Sequence, residues 1–168
     1  AKVRKSVSGL NASFVNVGHE KDGFLHYHDL GPKLPSLLKF IKQVSTGKTK
    51  DYLLKNFKFE AEIEKTGKVS DIINSNQHIL VQVVKEPIST KGPRISSELS
   101  LAGRYMVLVP FSDRISISQK IEDREEKNRL KRLVQSIRPK NFGVIIRTVA
   151  QDKKVAELDA DLQQLLTR

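Results

Sequence analysis

The stretch NASFVNVG at residues 11–18, followed by GFLHYH at residues 23–28, decides the fold class of the first part of the chain. Both segments mix β-branched and aromatic residues with small polar ones, a composition typical of short β-strands. Turn-forming residues lie before and between them, at Gly9-Leu10-Asn11 and from Gly18 to Gly23. With the apolar residues that precede them, they predict an antiparallel meander over residues 2–27, as in a small closed β-barrel.

Residues 29–76 interrupt this strand pattern. Pro32 and Pro35 open the segment, and four apolar residues then recur at helical spacing: Leu37, Leu38, Ile41 and Val44. This spacing predicts a short helix. A further helical turn is predicted around residues 52–57, so we expect a helical insertion in the barrel at about 29–76.

The run ILVQVVKE at residues 79–86 is the clearest strand of the chain, and Pro87 ends it. Residues 88–94 are rich in Ser, Thr, Lys, Gly and Pro and predict a flexible basic loop. Residues 96–101 predict a fifth strand of the barrel or the exit from it. Residues 1–100 are therefore expected to form a five-stranded β-barrel that carries the insertion.

The last third of the chain has a different order of elements. Strand-forming residues lie at 105–109 and 142–148, and apolar spacing predicts a helix at 121–137. One side of a closing helix carries Val155, Leu158, Leu162, Leu165 and Leu166. The order strand, helix, strand, helix predicts a small α/β subdomain over residues 101–168, and an α+β class for the chain as a whole.

The composition is strongly basic, with 168 residues, a formal net charge of +11 and a pI of about 9.9. Such a balance suits an anionic partner, because Lys and Arg near a phosphate release condensed counterions, although many basic proteins bind no nucleic acid. The absence of cysteine excludes disulfides, a thiol nucleophile and a Cys-based zinc site. It also fits a cytoplasmic protein.

The start of the chain and its apolar runs give further expectations. No apolar run approaches the roughly 20 residues that a membrane span requires, and no signal peptide is visible, so we expect no membrane partner. The chain starts at Ala1 rather than Met and enters a strand pattern at once. This start predicts a piece cut from a longer polypeptide.

Three groups of residues could bind a nucleic acid. Phe14 and Phe24 lie on neighbouring predicted strands, where small barrels stack bases on aromatic rings, although a Phe on a strand is more often core. The loop from Ser89 to Arg94 could hold backbone phosphates or could simply be solvated. Arg147 and Thr148 end a predicted strand shortly before a helix, where a guanidinium fork, a hydroxyl and backbone N–H groups could bind a terminal phosphate. Arg147 could equally cap the strand or pair with an acid.

Other chemistry has little support in the residues. His26 and His28 lie on one face of a predicted strand, a weak metal-binding pattern, but no third ligand is evident nearby, which favours surface histidines. No Walker loop, dinucleotide-binding glycine pattern or nucleophile elbow occurs. From the residues alone, the prediction is a basic protein that binds RNA or DNA.

Five groups of residues form an ordered set of longer motifs. They are NASFVNVG (11–18) with GFL (23–25), VQVVKEPI (81–88) with TKGPR (90–94), LSLAGRYMVLVP (99–110), ISQKIE (117–122) and GVIIRTVA (143–150). In this order they resemble the ribonuclease E/G family of bacterial endoribonucleases, over most of the chain outside residues 29–76.

This resemblance implies an S1 domain, a β-barrel of the OB type, over residues 1–100 and a 5′-sensor subdomain over residues 101–168. Members of the family cut single-stranded, AU-rich RNA and act in rRNA processing and mRNA decay. By position, Phe14, Phe24 and Lys91 match S1 residues that contact RNA. The residues that match the sensor's 5′-phosphate site are Arg147 and Thr148, with Gly103 and Val107 in the pocket wall.

Departures from the family pattern shape the expected function. Gln119 stands where some members carry a phosphate-contacting Arg, so a weaker phosphate pocket is expected. The catalytic domain, with its Mg²⁺-binding aspartates and its Cys-containing zinc link between subunits, lies outside these residues. We therefore expect a fragment that binds single-stranded RNA without cleaving it and without a cofactor, while Mg²⁺, Zn²⁺ and homo-oligomerisation belong to the rest of the parent protein.

Two alternatives remain open. The chain could be a nuclease that is active as it stands, or an S1-containing RNA-binding factor of the ribosome or of transcription without nuclease function. The motif at residues 143–150 argues against the second alternative, because a lone S1 domain has no reason to carry it.

Overall fold

Three successive antiparallel strands open the chain: β1 (Lys2–Val7), β2 (Ala12–Asn16) and β3 (Gly23–His26). They are seen in a computed structural model that describes residues 1–168. Asn11 ends the first turn in the left-handed conformation (φ 46°), which Asn adopts more readily than most residues. The predicted meander and its two turns are confirmed, although β3 ends early because Tyr27–Asp29 forms a 3₁₀ turn.

Two later strands, β4 (Gln82–Lys85) and β5 (Arg94–Ser96), complete a five-stranded sheet in the order β1-β2-β3-β5-β4. Only the pair β3 and β5 is parallel. The predicted number of strands is confirmed, but the closed barrel is wrong, because β1 and β4 are the two edges of an open sheet. Residues 76–79 bond to the start of β1 instead, for example from Asn76 N to Val3 O (2.7 Å), and so satisfy that edge without β4.

The segment between these strands contains the predicted helix, α1 (Leu34–Ser45), which begins at a Pro-containing first turn and buries Leu34 and Leu37. The helical turn predicted around residues 52–57 is wrong. Leu54 has a left-handed backbone (φ 56°), and the Asp51 carboxylate accepts from Asn56 N (3.0 Å), which favours a turn. A four-residue helix, α2 (Val69–Ile72), was not predicted.

The region after β4 is more ordered than its composition predicts. Ile88 and Lys91 exchange two backbone hydrogen bonds (3.0 and 3.1 Å), so residues 88–91 form a tight hairpin turn rather than a flexible loop. β4 covers only half of the strand predicted at 79–86. The fifth strand begins at Arg94, two residues before its predicted start.

A second sheet has the order β6-β7-β9-β8, with β6 (Leu101–Ala102), β7 (Met106–Pro110), β8 (Ile115–Ile117) and β9 (Phe142–Ile146). Two helices follow β8 and β9: α3 (Arg124–Ile137) and α4 (Val155–Leu166). β7 and β9 are antiparallel, whereas β8 and β9 are parallel and are joined through α3. α3 begins three residues later than predicted, because the Asp123 carboxylate caps it by accepting from Glu125 N (2.9 Å).

The chain divides into two units, residues 1–49 with 59–99 and residues 50–58 with 100–168. Each has its own apolar core. Fully buried apolar residues of the first are Val3, Ala12, Val15, Leu25, Leu30 and Ile95, and those of the second are Met106, Leu108, Ile121, Leu130, Val134, Ile146, Ala150, Leu158 and Leu162. The α+β class is confirmed. The longest helix has 14 residues, and no helix combines the length and apolar character that crossing a membrane requires.

Candidate nucleic-acid interface

A row of five side chains crosses the outer face of the first sheet, and we call it the cross-sheet row. Lys5, Phe14, Phe24, Arg94 and Lys85 are successive Cα partners on β1, β2, β3, β5 and β4. Side chains alternate between the two faces of a strand. Ser13, Val15 and Leu25 therefore fill the core, while the phenylalanines point outward and remain half-buried.

The two phenylalanines of the row contact each other directly. Their ring centroids are 5.9 Å apart with an interplanar angle of 67°, an edge-to-face pair. Such a pair contributes about 0.5–1.5 kcal/mol beyond simple burial. The Lys5 ammonium lies 5.9 Å from the centroid of the Phe14 ring, so a cation and two aromatic rings meet on one accessible surface.

A groove of about 830 Å³ runs over this part of the sheet. Both phenylalanines line it, together with four cationic side chains: Lys21, Lys85, Lys91 and Arg94. Asp22 and Glu86 also belong to the lining, so cations outnumber acids by four to two. The three residues that the sequence assigned to RNA contact in this unit, Phe14, Phe24 and Lys91, thus lie in the same groove.

One wall of the groove is held by very close backbone contact. A Cβ added at Gly92 would lie 2.0 Å from the carbonyl oxygen of Asp22. Lys21 Nζ donates to Ser89 O at the tip of the hairpin turn, and Phe24 N donates to Pro93 O (2.9 Å). The turn at residues 18–22 and the hairpin at 88–91 therefore support each other beside the phenylalanines.

Arg94 is fixed within the lining by a two-point ion pair. Its Nε and Nη2 atoms donate to the Asp29 carboxylate at 3.1 and 2.9 Å. These hydrogen bonds, and then the charge of Asp29, raise the pKa of the Arg94 guanidinium above its ordinary value. The Arg94 side chain remains about half exposed (52%), so it still presents a positive surface at the groove.

The second unit brings Arg147 and Gly103 together. Arg147 directly follows β9 with an extended backbone (φ −83°, ψ 158°), and its Nη1 donates to Gly103 O (2.8 Å). The backbone N–H of Arg147 donates to Tyr105 O (2.9 Å). A guanidinium has five N–H donors in a planar fork, so this exposed side chain can donate to an anion as well as to Gly103.

Thr148 lies beside Ser118, a residue that the sequence patterns did not single out. Their hydroxyl oxygens are 2.9 Å apart, and either can donate. Gln119 is the exposed neighbour of Ser118. Val107 is the Cα partner of Ile145. Its side chain lies on the sheet face opposite the buried Met106. Arg147, two residues after Ile145, extends from this same face.

The turn that carries Gly103 rests on a buried carboxylate. Asp161 on α4 accepts from the backbone N–H groups of Arg104 (3.0 Å), Tyr105 (2.9 Å) and Met106 (3.3 Å). A Cβ added at Gly103 would lie 2.6 Å from this carboxylate. Asp161 thus positions the carbonyl group to which Arg147 is bonded.

The sequence patterns missed several members of both clusters. Lys5 and Lys85 enter the cross-sheet row only through strand register, and Ser118 enters the second cluster through the parallel β8–β9 pairing. Arg94, which the sequence placed in a possible phosphate-binding loop, instead begins β5. No group of three or more His, Cys, Asp or Glu side chains in the chain could hold a metal ion, so His26 and His28 have no third partner.

Comparison with known proteins gives concordant matches. The model of the ribonuclease E/G family matches residues 100–168. The chain is 34% identical over 158 residues to ribonuclease E of Synechocystis, covering 93% of this chain and 19% of that protein. It is 39% identical over 149 residues to a ribonuclease E/G-like protein of Pyropia yezoensis (88% and 24%) and 31% identical over 164 residues to ribonuclease G of Escherichia coli (98% and 30%).

These relatives are much longer than the chain, which spans 19–30% of their length. Within that span the similarity covers both units, including the insertion. The chain therefore belongs to the ribonuclease E/G family.

Proposed function

We propose that the first unit binds single-stranded RNA in the groove over the cross-sheet row, as part of a ribonuclease. The observation that carries this proposal is the register of Lys5, Phe14, Phe24, Arg94 and Lys85 across five strands. Aromatic rings flanked by cations suit a single strand, because the rings stack unpaired bases while the cations contact phosphates. A double helix offers no free base faces to such a surface.

We infer that this unit is a partly open S1 domain of the OB type. The order β1-β2-β3-β5-β4 with one parallel pair supports it, since the OB fold is a five-stranded, partly open barrel. That fold binds oligonucleotides on the face of its second and third strands. Phe14 lies on β2 and Phe24 on β3, on this face.

We propose that the second unit is a 5′ sensor that binds the terminal phosphate of the RNA. Arg147 and Thr148 would donate to its oxygens, with Gly103 and Val107 as the adjoining wall. The proposal is supported by the guanidinium and the hydroxyl being consecutive at the end of β9, where Gly103 O and Ser118 Oγ orient them. A terminal phosphate carries more charge than an internal one, which charge-assisted hydrogen bonds detect.

The parent activity follows from the family and is likewise a proposal. We infer a cytoplasmic endoribonuclease that acts in rRNA processing and mRNA decay, with Mg²⁺ and Zn²⁺ sites and homo-oligomer contacts formed by other parts of the longer protein. In this chain, no three His, Cys, Asp or Glu side chains are grouped so that they could hold either ion. Its own contribution is to hold and orient the RNA.

Fluorescence anisotropy tests both sites. A short single-stranded RNA is prepared with a 5′-monophosphate or a 5′-hydroxyl and titrated with the wild-type chain and three variants. Phe14→Leu keeps an apolar side chain but removes the ring, and we expect it to weaken both RNAs at least about fivefold. Arg147→Ala is expected to remove the preference for the monophosphate, whereas Arg132→Ala, an exposed Arg on α3, retains it.

Equal binding of the two RNAs by the wild-type chain would exclude the sensor function. Unchanged binding by Phe14→Leu would exclude the groove. Cleavage of the RNA by the chain alone would contradict a purely binding role and favour a nuclease that is active as it stands.

A further inference from the structure

Four aromatic rings form a continuous stripe that leaves the cross-sheet row at Phe24 and follows β3 to its end. The Phe24 and His26 ring centroids are 6.4 Å apart with an interplanar angle of 36°. The His26 and His28 rings stack at 4.8 Å and 30°. With the Phe14–Phe24 contact at 5.9 Å, these rings make up what we call the aromatic stripe.

The stripe continues on the outer face of the sheet because of strand alternation. His26 lies two residues after Phe24 and so shares its face. Its Cα partner on β2 is Ala12, which is fully buried. His26 is half-buried and His28 is exposed, so the stripe becomes more accessible to solvent towards its histidine end.

A local hydrogen bond orders the two imidazoles. His26 Nδ1 accepts from the backbone N–H of His28 (3.1 Å). The same contact makes His26 the cap of the 3₁₀ turn Tyr27–Asp29. The hydrogen bond and the turn therefore hold the His26 and His28 rings close enough to stack.

We propose that His26 and His28 form a stacking subsite for one further base of the single strand. This inference rests on the proposed function of the groove. Histidine is among the aromatic side chains on which proteins stack unpaired bases, and stacking tolerates any base because each has a π-face. The subsite extends the bound segment from Phe24 along β3, beyond the groove lining.

Anisotropy titrations with a 5′-hydroxyl oligouridine test the subsite, using the whole chain and His28→Ala. We expect the variant to lose affinity roughly 5- to 150-fold, the range for one stacked base. The same RNA is then prepared with one abasic nucleotide moved along the strand. One position is expected to weaken binding to the wild type and to have no further effect on His28→Ala, which identifies the base on this histidine.

Two rescue variants separate stacking from charge. His28→Phe keeps a ring and is expected to bind like the wild type. His28→Lys supplies a cation without a ring and is expected to bind as weakly as His28→Ala. Rescue by Lys but not by Phe would overturn the proposal in favour of a phosphate contact. His78→Ala is the matched control, because this exposed imidazole lies opposite Lys2, outside the stripe and the groove.

Phe14→Leu distinguishes failure of the subsite from failure of the groove. If this variant weakens binding while His28→Ala has no effect, the subsite is excluded and the groove function stands. If neither variant changes the affinity, both are excluded. Far-ultraviolet circular dichroism of each variant ensures that affinities are compared between folded proteins.

Discussion

At Gly92 the chain passes the 18–22 turn so closely that no side chain fits between them. A Cβ at this position would lie 2.0 Å from Asp22 O and 3.0 Å from the Asp22 carbonyl carbon. Both are backbone atoms, which cannot rotate away as a flexible side chain would. Lys91 and Arg94, on either side of Gly92, both line the groove, so this contact sets where two of its cations lie.

We predict that Gly92→Ala destabilises the fold by about 1–3 kcal/mol, the usual cost of overpacking, and weakens RNA binding. Urea unfolding and RNA anisotropy measure the two effects. Gly9→Ala is the matched control, because nothing lies within 4 Å of its added Cβ. Equal unfolding midpoints for the two variants would mean that the close approach at Gly92 is not maintained in solution.

Among the secondary-structure elements, α4 has a role in the second unit beyond filling its core. Its Asp161 carboxylate accepts three backbone N–H groups from the turn between β6 and β7. A buried donor that loses its acceptor costs about 1–3 kcal/mol. The helix therefore holds the Gly103 carbonyl in the position where Arg147 bonds to it.

We predict that Asp161→Asn lowers the free energy of unfolding by about 1–3 kcal/mol, because one acceptor oxygen is replaced by an NH₂ group that faces backbone donors. The preference for a 5′-monophosphate is expected to fall with it, as a result of the displaced Gly103. Urea unfolding and anisotropy provide the two measurements. Asp159→Asn, at a neighbouring position of α4 where the carboxylate has only a 3.4 Å side-chain contact, should leave both unchanged.

A partly buried ion pair joins α3 to the segment before α4. The Glu126 carboxylate accepts from Arg129 Nε (2.9 Å) and from Asp152 N (3.1 Å), and Arg129 Nη1 donates to Lys153 O (2.9 Å). The hydrogen bonds from Arg129 lower the pKa of Glu126, against the opposing effect of burial, and the Asp152 N–H and the Arg129 charge lower it further. The pKa of Arg129 is raised by the same pair.

This shift predicts a pH-dependent stability. Because the folded pKa of Glu126 is lowered, its contribution is complete above the ordinary value of 4.5 and is lost as the pH falls through the folded pKa. Glu126→Gln should therefore destabilise the protein near neutral pH and matter less in acid. We expect this substitution to lower the free energy of unfolding by about 1–3 kcal/mol at pH 7. The value should fall towards the lower end, because Arg129 is about a third exposed and solvent screens the pair.

Urea unfolding of the wild type and of Glu126→Gln, from neutral pH down to pH 3, measures the difference in their free energies of unfolding. Glu125→Gln is the control, since its exposed carboxylate lies one residue away on the same helix. A difference between wild type and Glu126→Gln that stays constant down to pH 3 would contradict the assigned linkage.

For the whole molecule, the net charge of +11 predicts that salt is the main control on the proposed RNA binding. Each phosphate that a cation contacts contributes about −0.7 to the slope of log affinity against log salt concentration for a single strand. Lys85 ends the cross-sheet row and lines the groove. We therefore expect Lys85 to contribute a measurable part of the salt dependence.

We predict that Lys85→Ala makes the salt slope less steep by about 0.7 while leaving the preference for a 5′-monophosphate intact. Anisotropy titrations at several salt concentrations give this slope. Lys48→Ala, which removes an exposed Lys of the first unit outside the groove lining, is expected to change it much less. Equal slopes for the two variants would mean that only net charge matters.

Local sequence determined most secondary-structure elements of this protein. Composition and turn residues specified β1, β2 and β3, and apolar spacing specified α1, α3 and α4, because both signals act over a few neighbouring residues. The family motifs at residues 11–25, 81–94, 99–110, 117–122 and 143–150 predicted where binding residues would lie along the chain. Local signals failed at 52–57 and 88–94, where the left-handed Leu54 and the hairpin bonds of Ile88 with Lys91 set the conformation.

Only the tertiary structure decided which of these residues meet. Phe24 and Arg94 are partners across a parallel pair of strands that are far apart in sequence, and Thr148 reaches Ser118 across the α3 connection. Residues 50–58 belong to the second unit although they lie within a segment of the first. Strand register and core packing depend on contacts between distant segments, which local preferences do not encode. The cross-sheet row and the aromatic stripe therefore exist as surfaces only in the folded chain.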